Sequence, residues 1–282
     1  MTLNKKTISI DKDSCIKCGK CVSVCPYSIM IQKHKGDEIS LNQVDNCFTC
    51  GHCMDVCPTD SVIHSAFPPE KIHAVDSSLL PTPEQVMMLI KSRRSNRNLT
   101  SKPIPMEMLN QIVEAAQYAP TAVNSQQLSF TIITEPQKLQ QIRDFTIDSF
   151  TSIAKKLKSP VIRWLLKPFF GEVYKYLPMF DELMQQHKAG KDPVLRKATA
   201  LLIIHSPKSN RWGSVEANLA YQNASLMAQS LGMSQIYMGV ILNIIQKDSK
   251  GTLPRLLGID EKIHAVMALG IPTFKYSKYT DR

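Results

Sequence analysis

Apolar residues after position 83 recur at intervals of three and four, which is the period of an amphipathic helix. In residues 84–95 three of them share one predicted face: Val86, Leu89 and Ile90. A second predicted helix opens at Pro105, because proline is favoured in the first helical turn, and ends at Pro120. Its apolar stripe consists of Leu109, Ile112, Val113 and Ala116. The pattern therefore predicts two amphipathic helices here.

Four further runs are apolar or β-branched and predict strands. They occupy residues 128–134, 199–205, 234–240 and 265–270. Two intervening segments are predicted to be helical, residues 136–149 and 215–231. Because the helices and strands mix without a regular strand–helix–strand repeat, the pattern predicts an α+β fold rather than a doubly wound sheet.

Residues 150–197 do not fit this pattern, because they combine aromatic residues with lysines. The segment contains the runs V-I-R-W-L-L-K-P-F-F-G and Y-K-Y-L-P-M-F. One interpretation is an amphipathic helix on a membrane surface. The prolines at positions 160, 168 and 178 are expected to interrupt a helix, so they favour a folded lid or an insertion that covers a pocket.

Composition changes again before residue 84. Residues 65–83 show little periodicity and carry four prolines: Pro68, Pro69, Pro81 and Pro83. We interpret this stretch as a linker, either a flexible tether or a segment docked on a neighbouring domain. The predicted organisation is therefore a domain at residues 1–64, a linker at 65–83 and a second domain at 84–282.

The first domain contains all eight cysteines of the chain, in two runs of identical spacing. The runs read C-I-K-C-G-K-C-V-S-V-C-P and C-F-T-C-G-H-C-M-D-V-C-P. A glycine stands at the same place in each, Gly19 and Gly51, where the backbone must turn sharply. Structural zinc would leave the third cysteine and the proline unexplained, and disulfides suit secreted chains. The spacing instead predicts iron–sulfur clusters.

A cubane cluster needs four thiolates, and C-x2-C-x2-C supplies three of them from one loop. In the doubled C-x2-C-x2-C-x3-C-P pattern the fourth cysteine of each run ligates the other cluster. We therefore assign one [4Fe–4S] cluster to Cys15, Cys18, Cys21 and Cys57. The other is assigned to Cys47, Cys50, Cys53 and Cys25. This region closely resembles the bacterial-type two-cluster ferredoxins. The histidines have no motif around them and are expected to be structural or solvated.

Composition and charge narrow the class of protein. Hydrophobic residues make up 43% of the chain, and no apolar run approaches the ~18 residues of a membrane-spanning helix. The formal charge of +10 is spread over scattered residues without a nucleic-acid-binding signature, so we expect no nucleic-acid partner. The first residues lack the apolar region of a signal peptide, and cluster thiolates require a reducing compartment. We therefore expect a cytoplasmic protein.

Four separated motifs mark the second domain. They are R-R-S-N-R, A-P-T-A-V-N-S-Q-Q, S-L-G-M-S-Q-I-Y-M-G and A-L-G-I-P-T-F-K-Y-S-K, in that order. Together they resemble the nitroreductase family of FMN-dependent homodimeric oxidoreductases, over residues 84–282. The resemblance implies a central mixed sheet flanked by helices. The combination with a two-cluster ferredoxin domain resembles one subgroup of that family.

The resemblance also implies which residues bind FMN. Arg93, Arg94 and Ser95 match the segment that holds the phosphate and ribityl chain, for which guanidinium groups are suited. Arg97 matches the basic residue near the pyrimidine edge of the flavin. The segment that reaches the flavin from the dimer partner is matched by Thr121, Ala122, Asn124 and Gln126. The segment near flavin N5 is matched by Tyr237, Met238 and Gly239. The basic residues that complete the phosphate site are matched by Lys275 and Lys278.

The expected function is electron transfer from a low-potential donor, such as a ferredoxin or flavodoxin, through two clusters to FMN. The small-molecule acceptors implied by the resemblance are nitroaromatics, quinones, flavins and activated alkenes. The alternative is an electron-transfer module whose acceptor is a partner protein. No side chain is nominated as a catalytic acid.

Overall fold

The computed structural model describes residues 7–248 and 250–281, apart from the side chains at positions 166, 170 and 173. The chain forms two compact units. Unit 1 comprises Met1–Leu80 together with Ala122–Ser125. Unit 2 comprises Pro81–Thr121 and Gln126–Arg282. The first unit thus extends beyond residue 64 and takes up most of the stretch interpreted as a linker.

The described part of unit 1 contains two short antiparallel ribbons and two short α-helices. Strand β1 (Ile8–Ile10) pairs with β4 (Val62–His64), and β2 (Met30–Ile31) pairs with β3 (Ser40–Leu41). The helices are α1 (Lys20–Val24) and α2 (His52–Asp55). Each helix starts directly after a glycine in the left-handed region, Gly19 at φ 74° and Gly51 at φ 80°. The sequence repeat is therefore also a repeat of the backbone.

Unit 2 contains the remaining helices and a four-stranded sheet. The helices are α3 (Pro83–Ser92), α4 (Met106–Gln117), α5 (Pro136–Lys158), α6 (Pro160–Tyr174), α7 (Leu177–Lys188), α8 (Gly213–Ser230), α9 (Gly239–Lys247) and α10 (Thr252–Leu257). The strands are β5 (Ser129–Ile133), β6 (Ala200–Ser206), β7 (Ser234–Tyr237) and β8 (Lys262–Gly270). The predicted α+β class is confirmed.

The sheet has the strand order β5-β6-β8-β7, and every neighbouring pair that the structure describes is antiparallel. The sequence analysis expected a mixed sheet, and the strand directions explain the difference. Strands β6 and β7, which α8 connects, run in the same direction. However, β8 lies between them and pairs with both in the opposite direction. The C-terminal strand thus replaces the parallel pairing that a strand–helix–strand unit would otherwise form.

Strand β6 is buried along its whole length, and successive side chains point to opposite faces of the sheet. Leu201 and Ile203 belong to one apolar cluster, together with residues of α5, α9 and α10. Leu202 and Ile204 belong to a second cluster with residues of α4 and α8. Unit 2 is therefore a sheet covered by helices on both faces.

The stretch between β5 and β6 forms three consecutive helices, α5, α6 and α7. Pro160 and Pro178 lie in the first turn of α6 and α7, where a missing N–H breaks no helical hydrogen bond. Pro168 lies inside α6. Two of the three prolines expected to interrupt the segment therefore start helices. No helix among residues 7–248 and 250–281 is both long and apolar enough to cross a membrane.

Candidate functional site

Cys15, Cys18, Cys21 and Cys57 line one cavity of unit 1. Apolar side chains close the same cavity: Ile10, Ile16, Ile39 and Val62. Burial raises the pKa of the Cys21 thiol, and the charges of Cys57, Cys15 and Cys18 raise it further. The fourth cysteine of the second run therefore lies with the first three of the first run.

The other four cysteines form the matching group. Burial raises the pKa of Cys53 to about 11, and the nearby thiols of Cys50, Cys47 and Cys25 act in the same direction. Thiolates this close repel one another, so the group favours a cation or a cationic cluster that compensates their charge. None of the eight cysteines, all of which the structure describes, forms a disulfide.

The donor set fits iron–sulfur clusters better than single metal ions. Among the described residues, no three His, Cys, Asp or Glu side chains converge on one point as the ligands of a single ion do. In a cubane each thiolate binds a different iron, so convergence is not required. Backbone N–H groups already point at three of the cysteine sulfurs: Ile29 at Cys25, Thr49 at Cys47 and Ser61 at Cys57, at 3.3–3.4 Å. The buried Thr49 Oγ1 has no hydrogen-bond partner in the described chain, as suits a hydroxyl beside inorganic sulfide.

His64 distinguishes the two cysteine groups. Its Nδ1 accepts the N–H of Ala66 at 3.0 Å, so Nε2 carries the proton. Nε2 lies 3.6 Å from Cys47 Sγ and donates toward it. The repeat places Gln32 at the position of His64, and Gln32 donates to the carbonyls of Lys17 and Asp37. His64 is one of the histidines expected to be structural or solvated, and aligning the two runs reveals its difference from Gln32.

Hydroxyl groups surround Cys57. Burial opposes its ionisation, but hydrogen bonds from the backbone N–H groups of Thr59 and Ser61 outweigh burial and lower the pKa of the thiol. The Thr59 hydroxyl lies 3.8 Å from the sulfur and 2.7 Å from the hydroxyl of Ser61. These hydrogen bonds therefore favour the thiolate form of Cys57 on the polar side of the cavity.

The arginine run of unit 2 spreads over three places. Arg94 lines a cavity of about 190 Å³ together with Lys275, Asn96, Ser234 and the backbone around Gly232. No carboxylate is among the residues that line it. Asn96 holds the cavity's two sides together, because its Nδ2 donates to the carbonyl of Phe274 at 2.8 Å. The cavity thus offers two cations and no competing anion, which suits a phosphate group.

Arg93 lies close to the buried Tyr221. Burial raises the pKa of the Tyr221 hydroxyl, and the charge of Arg93 opposes the rise. Tyr221 donates to Gln235 Oε1 at 2.5 Å and packs edge-on against Tyr237, with ring centroids 4.8 Å apart. Arg93 and Tyr237 are therefore members of one neighbourhood, although they come from different motifs.

Arg97 lines a different and larger cavity, of about 930 Å³. This cavity lies beside the start of α5 and the loop after α7, and further cations line it: Arg143, Lys191, Arg196 and Lys197. Its carboxylate, Asp192, is 3.5 Å from Arg143. The structure thus does not bring Arg97 into the cavity of Arg94 and Lys275.

The loop after α4 has an unusual backbone. Val123, Asn124 and Gln126 have φ values of 48°, 51° and 47°, in the left-handed region that non-glycine residues avoid. Thr121 Oγ1 accepts the N–H of Gln126 at 3.1 Å within unit 2. Ala122 and Asn124 belong to unit 1, where Asn124 Nδ2 donates to the carbonyl of Thr49 at 2.6 Å. Such strain is commonly stored at functional sites.

The remaining predicted residues lie elsewhere on unit 2. Met238 is buried, and its N–H donates to the carbonyl of Val266 at 2.9 Å. Gly239 begins α9, which ends the predicted strand at Tyr237 rather than at residue 240. Ser95 is half-buried, and Lys278 is exposed.

A buried polar cluster closes one end of β6 and β8. His205 lies between Glu261 Oε2, at 2.6 Å from Nδ1, and Thr131 Oγ1, at 2.9 Å from Nε2. Ser206 Oγ lies 2.9 Å from His264 Nε2, and both residues are buried. Burial lowers the pKa of His264, followed by the charges of Lys262 and His205, while Glu216 opposes the shift. The Ser206–His264 pair is too buried to reach a substrate, so it has a structural role.

Comparison with known proteins supports both units. A sequence profile of the nitroreductase family matches residues 90–271. A profile of the 4Fe-4S dicluster domain matches residues 14–63. The first profile covers more than half of the chain.

Individual relatives are distant. An "NADPH-dependent oxidoreductase" of Staphylococcus saprophyticus is 25% identical over 195 residues, covering 67% of this chain and 65% of its own. An "FMN reductase [NAD(P)H]" of Bacillus subtilis is 24% identical over 162 residues, covering 56% of this chain and 55% of its own. The chain thus spans less than two thirds of these curated relatives. The crystal structure of a nitroreductase with bound FMN from Bacteroides fragilis covers 70% of this chain and 95% of its own, with a TM-score of 0.53 and 22% identity. That likeness establishes the fold.

Proposed function

Because the chain belongs to the nitroreductase family, we propose that it is an oxidoreductase supplied with electrons by a low-potential donor such as a ferredoxin or flavodoxin. In this proposal the electrons pass through two [4Fe–4S] clusters to FMN, and on to a nitroaromatic, quinone, flavin or activated alkene. The two kinds of cofactor supply one-electron transfer and hydride chemistry that no side chain provides. The observation that carries the proposal is the division of eight thiols into two groups of four.

Eight cysteines hold the clusters in this proposal. The cavity lined by Cys15, Cys18, Cys21 and Cys57 supports the first ligand set. The electrostatic neighbourhood of Cys53 supports the second, which is Cys47, Cys50, Cys53 and Cys25. The apolar side chains of unit 1 exclude water from the sulfurs, while the three N–H···S contacts stabilise their negative charge.

Arg94 and Lys275 hold the FMN phosphate in this proposal, and Arg93, Ser95 and Lys278 complete its surroundings. A dianionic phosphate would compensate two cations that face no carboxylate in their cavity. Arg97 stabilises negative charge at the pyrimidine edge. Backbone at Tyr237, Met238 and Gly239 approaches flavin N5, where the absence of a side chain on Gly239 allows a close approach.

The segment with Thr121, Ala122, Asn124 and Gln126 serves the flavin of a second copy in a homodimer. Its strained backbone supports a binding role, because strain of this kind persists only where the surroundings hold it. Sedimentation of the FMN-loaded protein tests the dimer. A monomer that keeps one FMN per chain would contradict this part of the proposal.

The names of two relatives favour a different donor, NADPH or NADH, acting at the flavin. Anaerobic reduction of the full chain separates the donors. We expect reduced ferredoxin to reduce the bound FMN and to support turnover of a nitroaromatic. A Cys18→Ser/Cys50→Ser variant, which lacks one ligand of each cluster, should keep FMN and still react with dithionite, but lose turnover with ferredoxin. Ser40→Ala, an exposed serine of the same unit, is the control. Full-speed reduction of both proteins by NADPH alone would refute the proposed path.

The ligand assignment has its own test. Cys57→Ala should abolish the spectroscopic signal of the cluster of Cys15, Cys18 and Cys21, while the other cluster survives better. Damage confined to the cluster of Cys47, Cys50 and Cys53 would overturn the assignment.

The phosphate site has a separate test. Arg94→Gln should weaken FMN binding by about tenfold to a hundredfold, the loss expected for one charge-assisted hydrogen bond. Lys208→Gln, at an exposed cation far along the chain, should leave FMN affinity unchanged.

A further inference from the structure

Helix α6 presents a row of large apolar side chains to solvent. Trp164 and Phe169 are each 80% exposed, Val161 is 72% exposed and Leu165 is 57% exposed. Val161, Leu165 and Phe169 follow one another at intervals of four, so they lie on one face of the helix, and Trp164 lies beside them. None of the described side chains of α6 is buried. These four apolar side chains therefore lie at the surface rather than in the core of unit 2.

Basic residues are frequent in the sequence around this row. Residues 155–175 contain six basic residues and one acidic residue. The basic residues are Lys155, Lys156, Lys158, Arg163, Lys167 and Lys175. The acidic residue, Glu172, pairs with Lys175 at 2.5 Å. In the described chain Arg163 and Lys167 form no ion pair, so their charges remain available.

Trp164 and the cations share one surface depression of about 640 Å³. It is lined by Lys158, Pro160, Arg163, Trp164, Lys167 and Pro168. Three long basic side chains thus stand around an indole that is itself open to solvent. This combination offers both a place for a phosphate group and an apolar anchor next to it.

The combination of exposed apolar side chains and basic residues on α6 favours one kind of binding partner. A helix with an aromatic apolar face and a basic border lies in the interface of a bilayer, where tryptophan is favoured and basic residues meet anionic headgroups. A second copy is a poorer match, because a two-fold interface would bring the same basic surface face to face with itself. We infer that the surface formed by α6 and the end of α5 binds the surface of an anionic phospholipid bilayer. The helix axis lies along the membrane plane.

The chain's two tryptophans allow a direct test, with Trp212 as the second. In a Trp212→Phe variant all tryptophan fluorescence comes from Trp164. Mixing this holoprotein with vesicles of phosphatidylcholine and phosphatidylglycerol should shift its emission to the blue, while vesicles of phosphatidylcholine alone should shift it little. The reciprocal Trp164→Phe variant, which reports only on Trp212, should show no shift.

Co-sedimentation with the same vesicles measures affinity. Arg163→Glu/Lys167→Glu should weaken binding by about tenfold or more, since each of the two basic residues near an anionic surface contributes about fivefold in affinity. Lys208→Glu/Arg211→Glu makes the same change in net charge on another exposed stretch and should bind almost as the parent does. Trp164→Ala/Phe169→Ala removes the anchors and should also weaken binding at low salt. Iron content, FMN content and circular dichroism verify that each variant is folded.

Two outcomes would overturn the inference. One is an unchanged Trp164 emission and no sedimentation with anionic vesicles at low salt. The other is self-association in lipid-free buffer that Trp164→Ala/Phe169→Ala abolishes, because the row would then be an interface between copies of the chain. Equal binding to neutral and anionic vesicles would remove the proposed role of the cations.

Discussion

Unit 1 has strands of two or three residues and a buried apolar cluster of seven side chains, one of which is Cys21. Five further cysteines, partly buried, pack against that cluster. In unit 2 five consecutive residues of β6, Ala200–Ile204, are fully buried between two apolar layers. The interior of unit 1 thus combines a small apolar cluster with six cysteines, while that of unit 2 is made of close-packed hydrocarbon. A small domain with so little apolar core depends on bound metal for stability, and a large one does not.

The largest effect expected from this difference follows iron removal. Anaerobic chelation of iron should unfold unit 1, because the metal no longer joins its cysteine-bearing loops and its apolar core is too small. Hydrogen exchange should show loss of protection in β1 and β4 and retained protection in β6. Removal of FMN is the control and should leave β1 and β4 protected. Protected β1 and β4 amides in the iron-free protein would show that the apolar cluster of unit 1 suffices.

Leu202→Ala should destabilise unit 2 and leave unit 1 intact, the reverse of iron removal. Leu202 is fully buried beneath α4 and α8, so its truncation should lower the unfolding free energy of unit 2 by about 2–5 kcal/mol. The iron content of unit 1 should not change. Leu165→Ala removes the same atoms from an exposed site and should cost well below 1 kcal/mol in lipid-free buffer. Denaturant unfolding monitored by circular dichroism measures both, and similar losses for the two variants would contradict the layered core.

A smaller effect is expected on the reduction potentials of the two cysteine groups within unit 1. His64→Leu removes the N–H that points at Cys47 and should lower the reduction potential of that cluster by on the order of 50 mV, which corresponds to about 1 kcal/mol for one electron. Gln32→Leu changes the equivalent residue of the repeat, which donates to carbonyls instead of sulfur, and should leave the other cluster's potential unchanged. A redox titration followed by electron paramagnetic resonance distinguishes the clusters. Equal shifts in both variants would exclude a specific hydrogen bond.

The smallest effect concerns acid stability in unit 2. Burial lowers the pKa of His264, so the unfolded chain binds a proton at a higher pH than the folded one does. The unfolding free energy should therefore fall as the pH drops below about 6.5, the ordinary histidine value. His264→Gln should flatten this dependence, whereas His34→Gln, at an exposed histidine of unit 1, should not. Parallel stability curves for the parent and His264→Gln between pH 7 and 5 would refute this role.

Features encoded by neighbouring residues were predictable from the sequence. The cysteine spacing, the turn glycines and the strands at residues 128–134 and 199–205 all depend on local geometry. The position of β8 between β6 and β7 was not predictable in this way, because strand order depends on contacts between distant segments. Proline was interpreted as a helix breaker at positions 160 and 178, although at a first helical turn it is compatible with the helix.

The surroundings of neighbouring residues in the candidate site could not be predicted from the sequence. Arg93, Arg94 and Arg97 are close in sequence and suggest one site, yet they lie in three different surroundings. The backbone after α3 is irregular and therefore turns each side chain in a different direction. The contact between His64 and Cys47 joins residues 17 positions apart and needs the β1–β4 ribbon to form. Sites that depend on short spacings along the chain can therefore be predicted from the sequence. Contacts between segments that are brought together by folding cannot.

The central position of β8 also determines which unit can fold first during translation. All eight cysteines and both ribbons of unit 1 are made within the first 64 residues, whereas the sheet of unit 2 lacks an inner strand until residues 262–270 emerge. Until then β6 and β7 have no neighbour between them, and the strand edges that β8 will cover stay unpaired. A nascent chain thus has time to acquire its iron and sulfide before the flavin domain can close. All the cysteines are therefore available to bind iron before the last strand of the sheet has been made.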